Sequence, residues 1–262
     1  MRRYGFILRT AARQQWVYRA EMAMRVIQMA LFMGVFMALW ATAFGVSGQA
    51  ELAGYTMVEM VWYLAMTETI TLSGSRIFTE ISEAVKAGDL AYTLARPLSY
   101  PWYQVANSLG GSAPRLLINL LAATAVVGIG TRQVAGSLSG LLAFLVMAAL
   151  ALLLDALIAV LIGLLAFWIE EVMPAFWIYQ KLLFTVGGLF LPLEMFPDWL
   201  RRVAEWLPFQ FITYVPARAF VDFDTEFVLR AVAGQVIYIA VFAALMMLVW
   251  RRAQRRLVVH GG

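Results

Sequence analysis

The chain has 262 residues, a net charge of +4, and is 63% hydrophobic but only 14% charged, where an ordinary soluble domain carries about 25% charged residues. Side chains this apolar cannot all be hidden in one water-facing globule of this size, so lipid must solvate much of the chain. It has no cysteine, and its single histidine, His260, lies two residues from the end; disulfides, thiolate sites, histidine-based zinc sites and histidine-dependent triads are therefore excluded.

In chain order, residues 2–19 form the first predicted element. At 100° per residue Arg2, Arg9 and Arg13 share one face and Tyr4, Ile7, Ala11 and Tyr18 the opposite one. Arginines toward phosphates and aromatics toward acyl chains describe a helix lying at the membrane interface. Residues 1–20 are taken as this interfacial helix, and the first 25 residues, with six arginines and no small-residue cleavage pattern, do not read as a cleavable signal. Six transmembrane helices are predicted at 24–44, 55–75, 103–130, 138–169, 175–191 and 231–250, so the fold class is an all-α integral membrane protein. The first run covers about 31 Å as a helix, enough to cross a hydrocarbon core. The second is more polar, with Glu59, Glu68 and several hydroxyl residues.

Between spans two and three, residues 76–96 hold a short charged amphipathic helix. Ile77, Ile81 and Val85 recur every four residues, Glu80, Glu83 and Lys86 lie among them, and Gly88 stops the helix at its C-terminal end. Such a helix fits a partner's groove, or packs flat on lipid. Residues 192–229 are amphipathic rather than spanning, divided by Pro192, Pro197, Pro208 and Pro216. Asp198 is the predicted N-cap of a helix with Leu200, Val203 and Leu207 on one side, and Trp199 and Trp206 suit the headgroup zone. Thirteen Lys and Arg fall on the side of the termini and the 76–102 loop, against five on the other. That asymmetry predicts cytoplasmic N- and C-termini. The positive charge sits at membrane boundaries and carries no nucleic-acid signal.

Three ionisable residues lie at membrane depth, where a charge is costly and marks either function or a structural pair. Arg115 and Asp155 fall at similar depth on either side of the 131–136 turn, which predicts an ion pair that ties two spans together or meets substrate. Glu68, flanked by Thr67, Thr69 and Thr71, lines a polar route or faces another helix. Glu59 lies near a membrane edge, and Lys181 snorkels or pairs with Glu170 or Glu171. Used as relays, Glu68, Arg115 and Asp155 would suit an ion-coupled secondary transporter.

Gly88-Asp89-Leu90 with Leu94-Ala95-Arg96-Pro97-Leu98, and later Leu191-Pro192-Leu193, Phe196-Pro197-Asp198-Trp199-Leu200, Leu207-Pro208-Phe209 and Tyr214-Val215-Pro216-Ala217-Arg218, resemble the signatures of ABC-2 type permeases, the membrane subunits of ATP-binding-cassette exporters. The resemblance covers essentially the whole chain. It implies a non-catalytic exporter subunit in a prokaryotic inner membrane. Ile77, Glu80, Ile81, Glu83, Lys86, Asp89 and Arg96 would form the coupling region that meets a separate nucleotide-binding dimer. A second permease chain, the same or different, would complete the transporter. No GxxxxGK[ST] is present, so no phosphate cradle exists here, and ATP and Mg would belong to the partner. No cofactor or metal is expected on this chain.

Overall fold

The computed structural model describes residues 2–15, 19–88 and 98–259. Asp89 and Arg96, with most of the first signature, lie outside the described residues. Among the described residues the architecture is helical, as expected, with one small hairpin of two-residue strands. Helix α1 spans Arg2–Gln15 and α2 spans Arg19–Ser47. Strands β1 (Glu51–Leu52) and β2 (Tyr55–Thr56) pair antiparallel around Ala53 and Gly54, both at positive φ, as a tight two-residue turn requires. Helices α3 (Met57–Thr71), α4 (Ile77–Lys86), α5 (Tyr100–Thr131) and α6 (Leu138–Leu164) follow. Next come α7 (Met173–Thr185), α8 (Asp198–Glu205), α9 (Tyr214–Val221) and α10 (Thr225–Val259).

Among the described residues, four helical segments are long and apolar enough to cross a membrane: Met22–Ser47, Tyr100–Thr131, Leu138–Phe167 and Thr225–Arg256. The other two expected spans are shorter helices. α3 has 15 residues and α7 has 13, about 22 and 20 Å respectively, against a hydrocarbon core of about 30 Å.

α3 starts where Thr56 and Glu59 form a reciprocal capping box: the Glu59 amide donates to Thr56 Oγ1 (3.3 Å), and the Thr56 amide donates to Glu59 Oε2 (2.8 Å). Glu59 is thus a helix cap, not merely an interfacial charge. Every residue from Met60 to Ile70 is buried, so α3 is the central post of the fold. α6, the most apolar helix, packs against α4, α9 and α10, while α1 and α2 lie along α5. The α1 contact is close: a Cβ on Gly110 of α5 would sit 2.5 Å from the Leu8 carbonyl oxygen. Arg9 and Arg13 are exposed and Ala11 is buried. Ala11 on the apolar face of α1 therefore meets protein, although the expectation gave that face acyl chains; Tyr18 lies outside the described residues. Asp198 is the first residue of α8 and makes no side-chain cap; Pro197 precedes it. Val203 is exposed with Trp199 and Trp206, while Leu200 and Leu207 are half-buried.

α7 stops at Thr185 because the chain turns at Gly187-Gly188, and Gly188 has φ +75°, a conformation that glycine adopts without steric cost. A Cβ there would also meet Leu193 Cδ1 at 2.6 Å. The buried carbonyls of this break are met by three side chains, two from α3 and one from just before α9. Thr213 Oγ1 donates to Gly187 (2.6 Å) and the Tyr63 hydroxyl donates to Gly188. The Thr67 hydroxyl lies 2.9 Å from the Leu189 carbonyl, while also reaching Leu64 of its own helix. Replacing Thr67 with Val leaves the Leu189 carbonyl unpaired and is expected to cost about 1–3 kcal/mol. Thr69→Val, whose hydroxyl only returns to Ala65, is the control. Thermal unfolding in detergent is the measurement, and equal losses for the two variants would remove Thr67 from this role.

Candidate functional site

A chamber of about 1100 Å³ opens among α1, α2, α3, α4, α5 and α7, and reaches Asp155 on α6. Glu68, Arg115 and Asp155, dispersed in the sequence, all line it, and so do Ile77 and Glu80 of α4. Asp155 Oδ1 accepts a hydrogen bond from the Tyr179 hydroxyl at 2.6 Å, and Oδ2 lies close over Gly74. Arg115 donates to Ser112 Oγ (3.2 Å), and its charge also acts on Asp155. The predicted partners therefore share one chamber wall, with Tyr179 as the neighbour that sequence reasoning missed. No local spacing links residues 155 and 179; only the return of α7 beside α6 brings them together.

Glu68 is 5% exposed. The threonines around it serve the backbone: Thr69 and Thr71 bond carbonyls of their own helix, and Thr67 reaches the break described above. Deeper in the fold, Asn119 of α5 donates to Ser73 Oγ at 3.0 Å. Arg25 of α2 donates to the Leu72 carbonyl at 2.9 Å. These contacts hold the end of α3 against α2 and α5.

α4 divides its predicted coupling residues between two faces. Ile77, Phe78 and Ile81 are fully buried. Ile81 sits so close to α6 that a Cβ on Gly163 would lie 2.8 Å from it. Glu80, Glu83 and Lys86 are exposed. Asn107 reaches Glu80 at 3.5 Å. Partial burial pushes the Glu80 carboxyl above its ordinary range, Glu83 adds to the rise, and Arg115 opposes it. The helix ends as expected, with Gly88 at φ +74°. Lys86 Nζ pairs with Glu171 at 3.7 Å. Lys181, expected to snorkel or to pair with Glu170 or Glu171, places its ammonium 5.5 Å from the centre of the Phe184 ring.

The far end of the molecule carries a second polar cluster that sequence reasoning missed. Glu194 accepts from the hydroxyls of Tyr214 (2.6 Å) and Tyr55 (3.4 Å) and pairs with Arg218 Nε at 3.3 Å. Arg218 also covers the Phe227 ring at 4.2 Å. Burial pushes the Tyr214 phenol well above its ordinary range, and the Glu194 charge adds to this. The cluster ties together the hairpin, the stretch before α8, and α9 and α10; its members come from four separate parts of the chain.

The model of the ABC-2 family transporter protein family matches residues 21–261. The chain belongs to this family. A comparison with curated proteins finds no match. As an ABC-2 family transporter protein, it is a multi-pass membrane protein and the permease component of an ABC transporter, a type of subunit that is generally non-catalytic and works with ABC ATPase partners.

Two outcomes follow from the contacts. Asp155→Leu leaves Tyr179 without its acceptor and removes one of the acids near Arg115, and is expected to cost about 3 kcal/mol; adding Arg115→Met should restore part of that loss. Folded yield and unfolding temperature in detergent measure both, and a double variant no better than the single one rejects the coupling. Glu194→Ala is expected to cost about 2–3 kcal/mol, with Tyr55→Phe alone costing less because its bond is the longer one. If Tyr55→Phe costs as much as Glu194→Ala, Glu194 is not the hub of that cluster.

Proposed function

We propose that this chain is the membrane subunit of an exporter, driven by ATP hydrolysis on a separate nucleotide-binding dimer. The observation that carries the reading is the two-faced α4. Its apolar side is locked onto α6 at Gly163, and its charged side, with Glu83 and Lys86, is exposed. A helix fixed in this way transmits a push from below into α6, which also bears Asp155 on the chamber wall. ATP binding would close the partner dimer, move α4, and shift the bundle between two states. Nucleotide biases such an equilibrium only by binding the two states differently.

In this reading the chain crosses an inner membrane six times, with both termini in the cytoplasm. Support comes from the segment between Glu171 and Glu194. One end pairs with Lys86 of α4 and the other bonds Tyr55 beside the hairpin. α7 and the extended stretch after it thus run the same distance as α3, so a short helix plus its extension serves as one crossing. Irregular backbone at that depth is tolerable because protein groups satisfy its carbonyls. α1 lies at the cytoplasmic interface, and α8 and α9 lie at the outer one with Trp199 and Trp206 exposed. ATP and Mg are held by the partner chains, and a second permease chain, the same or different, completes the assembly.

Charge reversal on the exposed face is the test. Glu83→Lys combined with Lys86→Glu is expected to lower capture of the co-expressed ATPase at least tenfold. The unfolding temperature should barely move, because an exposed pair such as Lys86–Glu171 is worth less than about 1 kcal/mol. Unchanged capture would reject α4 as the contact. Flux in reconstituted vesicles that runs on a proton gradient without ATP would instead favour the ion-coupled reading built on Glu68, Arg115 and Asp155.

A further inference from the structure

The chamber holds one carboxylate that the fold itself does not use. Asp155 has Tyr179, and Glu80 has Asn107. Arg25 is engaged by the Leu72 carbonyl, and Arg115 by Ser112 and the nearby acids. Arg76 also lines the chamber but is exposed, where water and salt screen it. Glu68 differs from all of these. It is 5% exposed and lines the chamber, and among the described residues no donor or cation lies within bonding reach of its carboxylate. A buried carboxylate left without partners is expensive: it takes up a proton, or it stays charged because something else meets it.

The rest of the chamber wall indicates what that partner is. Phe32, Phe184 and Phe190 line it and form one ring cluster, with Phe190 centred 6.2 Å from Phe32 and 5.4 Å from Phe184. Aromatic faces attract cations through their quadrupole, most strongly out of water. One of these rings already does so, since the Lys181 ammonium sits over Phe184. A volume of about 1100 Å³ is at the upper end of small-molecule sites. The opposite choice, an anion, would find its two half-buried arginines already engaged and an uncompensated carboxylate facing it.

We propose that this chamber takes an amphipathic organic cation, with Glu68 meeting the charge and Phe32, Phe184 and Phe190 receiving the apolar body. The assignment rests on the transporter reading above and specifies its substrate class. Glu68 is the specificity-determining residue, and the ring cluster sets the preference for bulky apolar cargo over simple metal ions or small polar amines.

The test uses the full chain in lipid nanodiscs, with and without its ATPase partner. Tetraphenylphosphonium is the probe, tetraphenylborate the matched anion, and empty nanodiscs the correction for partitioning into lipid. The chain is expected to bind the phosphonium at least tenfold more tightly than the borate. Glu68→Gln should weaken phosphonium binding at least tenfold, while Glu51→Gln, on the exposed hairpin, leaves it unchanged. On the unmodified chain, dicyclohexylcarbodiimide should label Glu68, read by mass spectrometry, and phosphonium should protect it; this arm does not depend on any variant folding. Equal binding of both ions, full binding by Glu68→Gln, or labelling that phosphonium does not slow would each overturn the assignment. A chain that captures its ATPase but does not bind phosphonium overturns this inference alone. A chain that binds phosphonium but captures no ATPase overturns the exporter reading alone.

Discussion

A stretch of non-helical backbone at the centre of an apolar protein has to find its hydrogen bonds among side chains. Residues 187–189 are such a stretch, and three side chains supply the donors: Tyr63 and Thr67 from α3, and Thr213 just before α9. In lipid or in a dry core each carbonyl left alone would cost several kcal/mol. That demand explains why α3, buried without a break from Met60 to Ile70, carries hydroxyls within its buried run. Its hydroxyls are not decoration on a route. Those of Tyr63 and Thr67 are fixtures on which the second half of the fold hangs.

The same demand organises what surrounds α3. Because α7 ends early, the chain can turn outward and build the Glu194 cluster, in which a carboxylate gathers two phenols and a guanidinium from distant segments. The other end of α3 is held by Arg25 and Asn119, and α4 follows at once. α4 in turn is seated on α6 through a glycine that leaves no room for a side chain. The exposed charges of α4 are thereby connected, through rigid packing rather than a flexible loop, to the wall that carries Asp155. Close-packed interiors transmit displacement because they have little free volume in which to absorb it. The chamber lies along this line, and its chemistry is set by the few polar groups that the scaffold leaves over.

Much of this was legible in the residues. Composition placed the chain in lipid, and long apolar runs marked the four helices that reach crossing length. The four-residue repeat of Ile77 and Ile81 and the stop at Gly88 gave α4, and the charges at 68, 115 and 155 were singled out by depth alone. One signal was present but passed over: Thr56 and Glu59 have the spacing of a capping box, a purely local pattern that needs no tertiary knowledge. Local spacing also failed in identifiable places. The apolar face of α1 was assigned to lipid because amphipathicity says only that a face is covered, not by what; Gly110 on α5 decides that. Ile77 and Ile81 were grouped with the charged residues of a docking surface, although they are the half of the helix turned into the protein.

Amino-acid content by itself determined the solvent, the helical periodicity and the rarity of buried charge, because each is a property of short windows or of bulk composition. Tertiary structure alone decided which charges meet. Asp155 finds Tyr179 across 24 residues, Glu194 finds Tyr55 across 139, and the break at Gly188 finds Tyr63 across 125. Such pairings depend on how helices return beside one another, and no spacing along the chain encodes that. Burial likewise singled out Glu68 among the acids, since a carboxylate shows itself as unpartnered only after every neighbour has taken its place.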